Sequence, residues 1–200
     1  TGAAGTSMWT ASTGAANASR YTVPAPPTSP TRVSMAPAGN ANWVAVAPAG
    51  NAFISVPGSN HIVPATAAGV LGAAITTGAG SSPRGIAVDP ATSNTWIARQ
   101  GGNGVGYLPF GGAAVTNYGT GTGPTAVAVD DKQVWVANTG ANTLTRLNAK
   151  TGGGRVAVGV ALETVTGFNG ANQPGPMAVD GDQNLWVANT ATTNKLTEVW

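Results

Sequence analysis

The sequence predicts an all-β chain assembled from repeats of four short strands, and three observations carry that prediction. One pattern recurs at Pro83–Leu108, Pro124–Leu147 and Pro174–Val199. In each copy a proline stands six residues before an aspartate (Asp89, Asp130, Asp180). A tryptophan follows five to seven residues later (Trp96, Trp135, Trp186), then an asparagine seven or eight beyond it (Asn103, Asn142, Asn194). The runs Ala126-Val127-Ala128-Val129 and Val134-Trp135-Val136-Ala137 are apolar on both faces, as strands buried between neighbouring sheets require. The 29 glycines and 14 prolines punctuate these runs without any period of three, which suits turns and excludes collagen. Four strands within about 44 residues, with turn residues between them, are the pattern of a β-propeller blade.

Two further copies are degenerate. Ala45–Ser55 aligns with Ala178–Ala188 without a gap; Ala47 replaces the aspartate, Phe53 replaces the tryptophan, and Asn60 follows seven residues on. At the N-terminal end, Met8-Trp9-Thr10-Ala11 matches Val134-Trp135-Val136-Ala137, with Asn17 eight residues after Trp9. Residues 1–200 therefore read as one domain of about five four-stranded repeats, centred near Trp9, Phe53, Trp96, Trp135 and Trp186.

Within one repeat the expected strands are Ala126–Val129, Val134–Ala137, the more polar Leu144–Leu147, and Val156–Val158 to close the unit. An aspartate leaving the first strand can fold its carboxylate onto the N–H groups of the turn. The segment Asn138-Thr139-Gly140-Ala141-Asn142 suits a hairpin with left-handed residues. Small alanines in the first strand permit close packing around a central channel. Helical solenoids are excluded by the glycine, proline and β-branched content. The first copy starts at a second strand and the last stops at a third. Both terminal blades are thus expected to be incomplete, as in an excerpt of a six- or seven-bladed ring or in a subunit completed through its free strand edges.

Charged residues make up 8% of the chain, against roughly 25% in ordinary globular domains. Nine basic and seven acidic residues leave a net charge of +2, so the pI of about 9.3 reflects scarcity of groups rather than a basic surface. The cations are scattered singly, and nucleic-acid binding, which needs clustered cations, is disfavoured. An apolar content of 42% with six tryptophans argues against disorder. No unbroken apolar run approaches the length of a membrane-spanning helix. The absence of cysteine excludes disulfides, thiolate metal sites and cysteine nucleophiles. Low charge with abundant Thr, Ala, Gly and Asn points to a secreted or cell-surface protein. The start at Thr1, without a leader pattern, fits a removed leader or an excerpt. So few titratable groups also predict a stability that varies weakly with pH.

The segments GPTAVAVDDKQVWVANTGANTLTRLNAKTG and GPMAVDGDQNLWVANTATTNKLTEV resemble the repeat of NHL-type propellers and of the related YVTN and streptogramin-lyase-like propellers. The resemblance covers Pro83–Val199 well and Trp9–Val63 poorly, and it specifies the blade rather than an activity. Streptogramin-type lyases use a histidine pair, a glutamate and a divalent cation, whereas this chain has one histidine, His61. Gluconolactonase-like relatives hold a metal with Glu, Asn and Asp around the channel. Here the only glutamates are Glu163, read as interblade, and Glu198, in the last strand. No catalytic residue and no cofactor is carried over from either motif.

The remaining candidates are weighed against structural roles. Asp89, Asp130 and Asp180 could ring a cation, but recurrence at one blade position favours caps for their own turns; Asp131 and Asp182 read as solvated turn neighbours. The recurring aromatics read as packing between blades, leaving Trp43 and Trp200 as the tryptophans free for contact. His61 reads as a solvated hairpin residue. No G-x-S-x-G elbow is present, and the glycine runs Gly101-Gly102 and Gly152-Gly153-Gly154 read as turns. Asn17-Ala18-Ser19 is a glycosylation sequon. A ligand face is expected on the side of the second-to-third-strand loops and the starts of the first strands, bearing Arg84, Arg99, Gln100, Asn138, Asn189 and Trp43. The resulting expectation is a non-catalytic propeller that binds a protein or glycan, or self-assembles through terminal strand edges. A metal-dependent lyase or lactonase and a lectin are the alternatives.

Overall fold

Strands that are apolar on both faces need a sheet on either side of them, and the structure supplies one. This computed structural model describes residues 6–13, 16–23, 31–34, 39–149, 161–165, 173–190 and 196–199. They form five antiparallel sheets in chain order, each a simple meander. The first holds β1 (Thr6–Ser12), β2 (Asn17–Val23) and β3 (Thr31–Ser34); the second holds β4 (Trp43–Val46), β5 (Ala52–Val56), β6 (His61–Ala65) and β7 (Ile75–Thr76). The third comprises β8 (Pro83–Val88), β9 (Thr95–Arg99), β10 (Gly104–Leu108) and β11 (Thr116–Gly119). The fourth comprises β12 (Pro124–Val129), β13 (Gln133–Asn138), β14 (Thr143–Asn148) and β15 (Ala161–Val165), and the fifth β16 (Pro174–Val179), β17 (Leu185–Asn189) and β18 (Leu196–Val199). Strands β4, β8, β12 and β16 are successive neighbours in space and form the inner edge of the stack. Among the described residues there is no α-helix, only one 3-10 turn at Pro57–Ser59, and no helix long and apolar enough to cross a membrane.

The period of two in each strand sorts side chains between two interfaces. Val134 and Val136 of β13 join Trp96, Ala98 and Val105 between the third and fourth sheets. The alternate residues, Trp135 and Ala137, join Leu185 and Val187 between the fourth and fifth. Trp9 packs with Ile54, Val56 and Val63 between the first and second sheets. Phe53 borders the cluster of Ile62, Ile86, Ile97 and Leu108 between the second and third. Each interface thus receives an aromatic from the earlier sheet, on β1 in the first and on the second strand (β5, β9, β13) in the others. Trp9, Trp96 and Trp135 are buried and Phe53 half-buried.

Prolines have a specific place in this arrangement. Pro83, Pro124 and Pro174 each open an inner strand, and in each the register with the second strand shifts within the next few residues. A residue without an N–H is tolerated at such an irregular strand start. The shorter β4 lacks the proline and pairs with β5 without a shift.

The recurrent aspartates cap their turns as expected, and they also hold the tryptophans. Asp130 Oδ1 accepts the N–H groups of Lys132 (2.7 Å) and Gln133 (2.6 Å), while Oδ2 accepts the indole N–H of Trp135 at 2.9 Å. Asp180 repeats this with Asp182 (3.0 Å), Asn184 (2.9 Å) and the indole of Trp186 (2.9 Å). In the third sheet the turn is longer. Thr92 donates its hydroxyl to Asp89 Oδ2 at 2.6 Å, and the buried indole N–H of Trp96 has no partner among the described residues. In the second sheet donor and acceptor are lost together, as Phe53 and Ala47.

The recurrent asparagines do a second task. Asn60, Asn103 and Asn142 are left-handed, with φ of 59°, 47° and 55°, a conformation asparagine tolerates better than most residues. Asn60 Oδ1 accepts the N–H of Ser82 (2.9 Å) and Asn103 Oδ1 that of Gly123 (3.0 Å). Each acceptor therefore holds the residue just before the proline that opens the next sheet.

Several expectations shift. Val156–Val158 lies outside the described residues, and the strand that pairs with β14 is Ala161–Val165, which places Glu163 in a strand opposite Arg146 rather than in an interblade segment. His61 is the first residue of β6, paired with Val56 and Thr76, and not a turn residue. Asn17 opens β2, so its sequon lies in a strand with Ala18 and Ser19 buried. Asn194, Trp200 and the run Gly152–Gly154 lie outside the described residues.

Replacing Trp135 by Phe keeps the ring but deletes its bond to a carboxylate, so urea denaturation should show a loss of about 1–3 kcal/mol. Phe53→Trp alone should not stabilise, whereas Phe53→Trp with Ala47→Asp should show favourable coupling in a double-mutant cycle. Asp180 is held below the ordinary aspartate range, first by the Trp186 indole and then by the Asn184 N–H. A folded pKa below the unfolded one contributes stability above the ordinary carboxylate range, and that contribution is lost as pH falls through the folded value. Trp186→Phe should therefore flatten the acid limb of a melting-temperature profile and leave its neutral plateau with little slope.

Candidate functional site

The register of the inner strands defines a layer at the end where the second-to-third-strand loops lie. Trp43, Ala126 and Pro176 stand two residues before the alanine opposite each aromatic (Ala45, Ala128, Ala178), and Gly85 stands two before Ala87. Three members of the layer are small or compact, and Trp43 is the exception. A Cβ on Gly85 would lie 2.8 Å from the Cα of Ala126 and from the carbonyl oxygen of Thr125, so β8 and β12 approach there as only glycine permits.

Trp43, half-buried, packs against the cluster containing Ile86 and Ile97 and also lines a cavity of about 230 Å³. The other walls are Thr125, Ala126, Thr139, Gly175, Pro176 and Thr190, drawn from the fourth and fifth sheets. Thr139 donates its hydroxyl to the carbonyl of Pro174 at 2.6 Å and shares a hydrogen bond with the hydroxyl of Thr125. Thr190 donates to the carbonyl of Gln173 at 3.2 Å. The wall is one indole, three hydroxyls and no charged side chain.

The six residues expected on this face separate into three groups. Arg84 and Gln100 come together, with Arg84 Nε donating to Gln100 Oε1 at 2.8 Å. They hold in the third sheet the positions that Thr125 and Thr139 hold in the fourth. Trp43 lies at the cavity itself. Arg99, Asn138 and Asn189 share one register position at the end of the second strand, and their side chains are turned against the third strand of their own sheet.

Asn138 is fully buried and donates to Thr145 Oγ1 (2.8 Å) and Thr143 Oγ1 (3.2 Å); Asn189 donates to Thr197 Oγ1 at 2.9 Å. In the third sheet Gly104 and Gly106 replace the two threonines. A Cβ at Gly106 would come within 3.4 Å of Arg99 Cδ, so the longer side chain lies where hydroxyls stand elsewhere. Arg99 Nε then reaches the carbonyl of Thr77 at 2.7 Å, tying the second sheet's exit to the third. Burial lowers the pKa of this guanidinium from its usual value. In the second sheet the same positions are Val56 and Val63, both buried.

The recurrent aspartates face the opposite end. Asp130 and Asp180 line a cavity of about 190 Å³ with Pro90, Asp131 and Gln183, and Asp89 is not part of it. Their oxygens already serve turn N–H groups and indoles, and among the described residues no three His, Cys, Asp or Glu side chains gather as a metal site would need. The exchange of Asn/Thr for Arg/Gly/Gly and Val/Val depends on cross-strand register, which spacing along the chain does not display. Its signal was there, in the co-replacement of residues spaced as cross-strand partners.

No protein-family model matches the sequence, and no curated protein does. Solved structures match closely in shape. A streptogramin B lyase superposes with a TM-score of 0.78 at 17% identity, over 97% of this chain and 65% of its own. A catalytically inactive virginiamycin B lyase from Staphylococcus aureus, solved with quinupristin, gives 0.77 at 17%, over 96% and 66%. A structure of the nidogen/laminin complex gives 0.64 at 17%, over 92% and 67%. The likeness establishes a β-propeller type of fold, and the chain spans about two thirds of the length of the lyase structures.

Thr145→Val should cost about 1–3 kcal/mol by leaving the buried Asn138 amide short of a partner. Combined with Asn138→Val, as in the second sheet, the loss should fall well below the sum of the single losses. Gly85→Ala should destabilise by about 1–3 kcal/mol through overpacking of β8 on β12; thermal melts of the variants check both.

Proposed function

We propose that this chain is a non-catalytic β-propeller of the NHL/YVTN repeat type, secreted or displayed on a cell surface, that binds a protein or glycan at the end marked by Trp43. The observation that carries the reading is the uncharged cavity in which one half-buried indole faces three threonine hydroxyls. An aromatic face beside hydroxyls suits a ligand that has both an apolar surface and neutral hydrogen-bonding groups, such as a sugar ring or an extended peptide. The Arg84–Gln100 pair, at the equivalent position of the third sheet, adds a cationic flank to the same end. The fold likeness to a chain of the nidogen/laminin complex supports a binding role by analogy alone.

The fold likeness to streptogramin-type lyases favours a metal-dependent lyase as the second reading. Against it, these 200 residues include one histidine, His61, which lies on β6 and does not line the Trp43 cavity. Titration with glycans and peptides, followed by tryptophan fluorescence, separates the readings. The binding module predicts a saturable change that Trp43→Ala removes while the fold, judged by circular dichroism, persists. It also predicts no shift of melting temperature with EDTA or divalent cations. A bound divalent ion with streptogramin turnover would instead establish the lyase.

A further inference from the structure

The second sheet lacks two members of a polar set that the fifth sheet retains at the same place. In the fifth, Asp180 Oδ2 accepts both the side-chain amide of Asn184 (3.2 Å) and the indole N–H of Trp186 (2.9 Å). The two turns correspond. Phe53 and Trp186 each stand opposite an alanine, Ala45 and Ala178. The Ala47 N–H donates to the Asn51 carbonyl, as the Asp180 N–H does to that of Asn184. With Ala47 and Phe53 replacing acid and indole, Asn51 is the member that remains, and the acceptor of its amide is gone. Asn51 Oδ1 accepts the backbone N–H of Ala67 at 3.1 Å. Only an oxygen can accept from that N–H, so the orientation of the amide is settled and its NH2 is left over. Among the described residues this NH2 donates to nothing.

The second and third sheets enclose a cavity of about 280 Å³ at this place. Its walls include Asn51, Phe53, Pro64, Ile75, Leu108 and Phe110, carry no charged side chain, and all come from the continuous stretch 51–112. Phe53 is half-buried, whereas the tryptophans of the other three interfaces are buried. Phe110 is 65% exposed, yet its position is fixed. Its N–H donates to Asn94 Oδ1 at 2.9 Å, and the turn closes from Gly112 N–H to the Pro109 carbonyl at 2.9 Å, with Gly111 at a φ of 73°. A formed turn therefore holds an apolar ring open to water beside an apolar cavity, which suits contact with a ligand.

We propose that this cavity, independent of the Trp43 site, binds a small planar molecule of about two fused rings that carries a neutral carbonyl oxygen. An apolar cavity of about 150 Å³ holds one benzene, so this one has room for a second ring. The rings pack on Phe53 and Phe110, and the carbonyl accepts from the Asn51 NH2. The ligand thus supplies the ring and the acceptor oxygen that Phe53 and Ala47 no longer provide. A neutral oxygen is specified because no cation lines the wall.

The test titrates coumarin and naphthalene, fused-ring molecules of which only coumarin has a carbonyl, into the isotopically labelled 200-residue protein. Coumarin should shift the Asn51 side-chain amide and the ring resonances of Phe53 and Phe110 in a saturable way. Asn51→Asp keeps an acceptor for the Ala67 N–H and removes the NH2. It should lower coumarin affinity about three- to tenfold, the range for one neutral hydrogen bond, and leave naphthalene affinity in place. Phe53→Trp should fill the cavity and weaken both probes about tenfold or more. Phe110→Ala, in the exposed turn, should weaken both without lowering the melting temperature. Absence of a saturable shift, or shifts centred on Trp43, would overturn the proposal. Coumarin affinity unchanged by Asn51→Asp would do the same.

Discussion

The second, third and fourth sheets bury apolar side chains on both faces, and that single constraint organises the rest. A four-stranded sheet with Val134 and Val136 on one side and Trp135 and Ala137 on the other has no face to give to water. It is stable only between two similar sheets, so the repeat must stack, and the aromatic of each second strand fills the wedge between its sheet and the next. The inner strands β8 and β12 approach so closely that Gly85 tolerates no side chain beside Ala126.

Polar groups are admitted into this apolar stack in matched sets. The indole of Trp135 or Trp186 comes with an aspartate, and the chain that lacks the tryptophan at Phe53 also lacks the acid at Ala47. The end of the second strand follows the same rule: Asn138 with Thr145, Asn189 with Thr197, Arg99 over Gly106, Val56 with Val63. Most sets pair their buried donors or remove them together, because half a set leaves a desolvated group; the Trp96 indole, whose aspartate oxygen is taken by Thr92, is an exception. The repeats of this chain therefore diverge in sequence while each keeps the same strand pairing.

The scarcity of charge acquires a location from the structure. The carboxylates that recur are used in turns and by indoles at one end, and Arg99, in register with Asn138 and Asn189, is a tie between sheets. What remains at the opposite end is an uncharged cavity of an indole and threonine hydroxyls, with one arginine–glutamine pair at the equivalent position of the third sheet.

The repeat, the strand period and the turns are written in local residue spacing. Proline, aspartate, tryptophan and asparagine sit at fixed spacings because each answers a local demand: a strand start without a donor, a capped turn, an interface to fill, a left-handed residue. The tertiary structure decided what lies across the chain. The shift of the fourth strand to Ala161–Val165, the burial of Asn138 and Asn189, and the meeting of Trp43 with threonines from two other sheets depend on register and on the stacking of sheets. Those relations join residues far apart in sequence, and no local spacing encodes them.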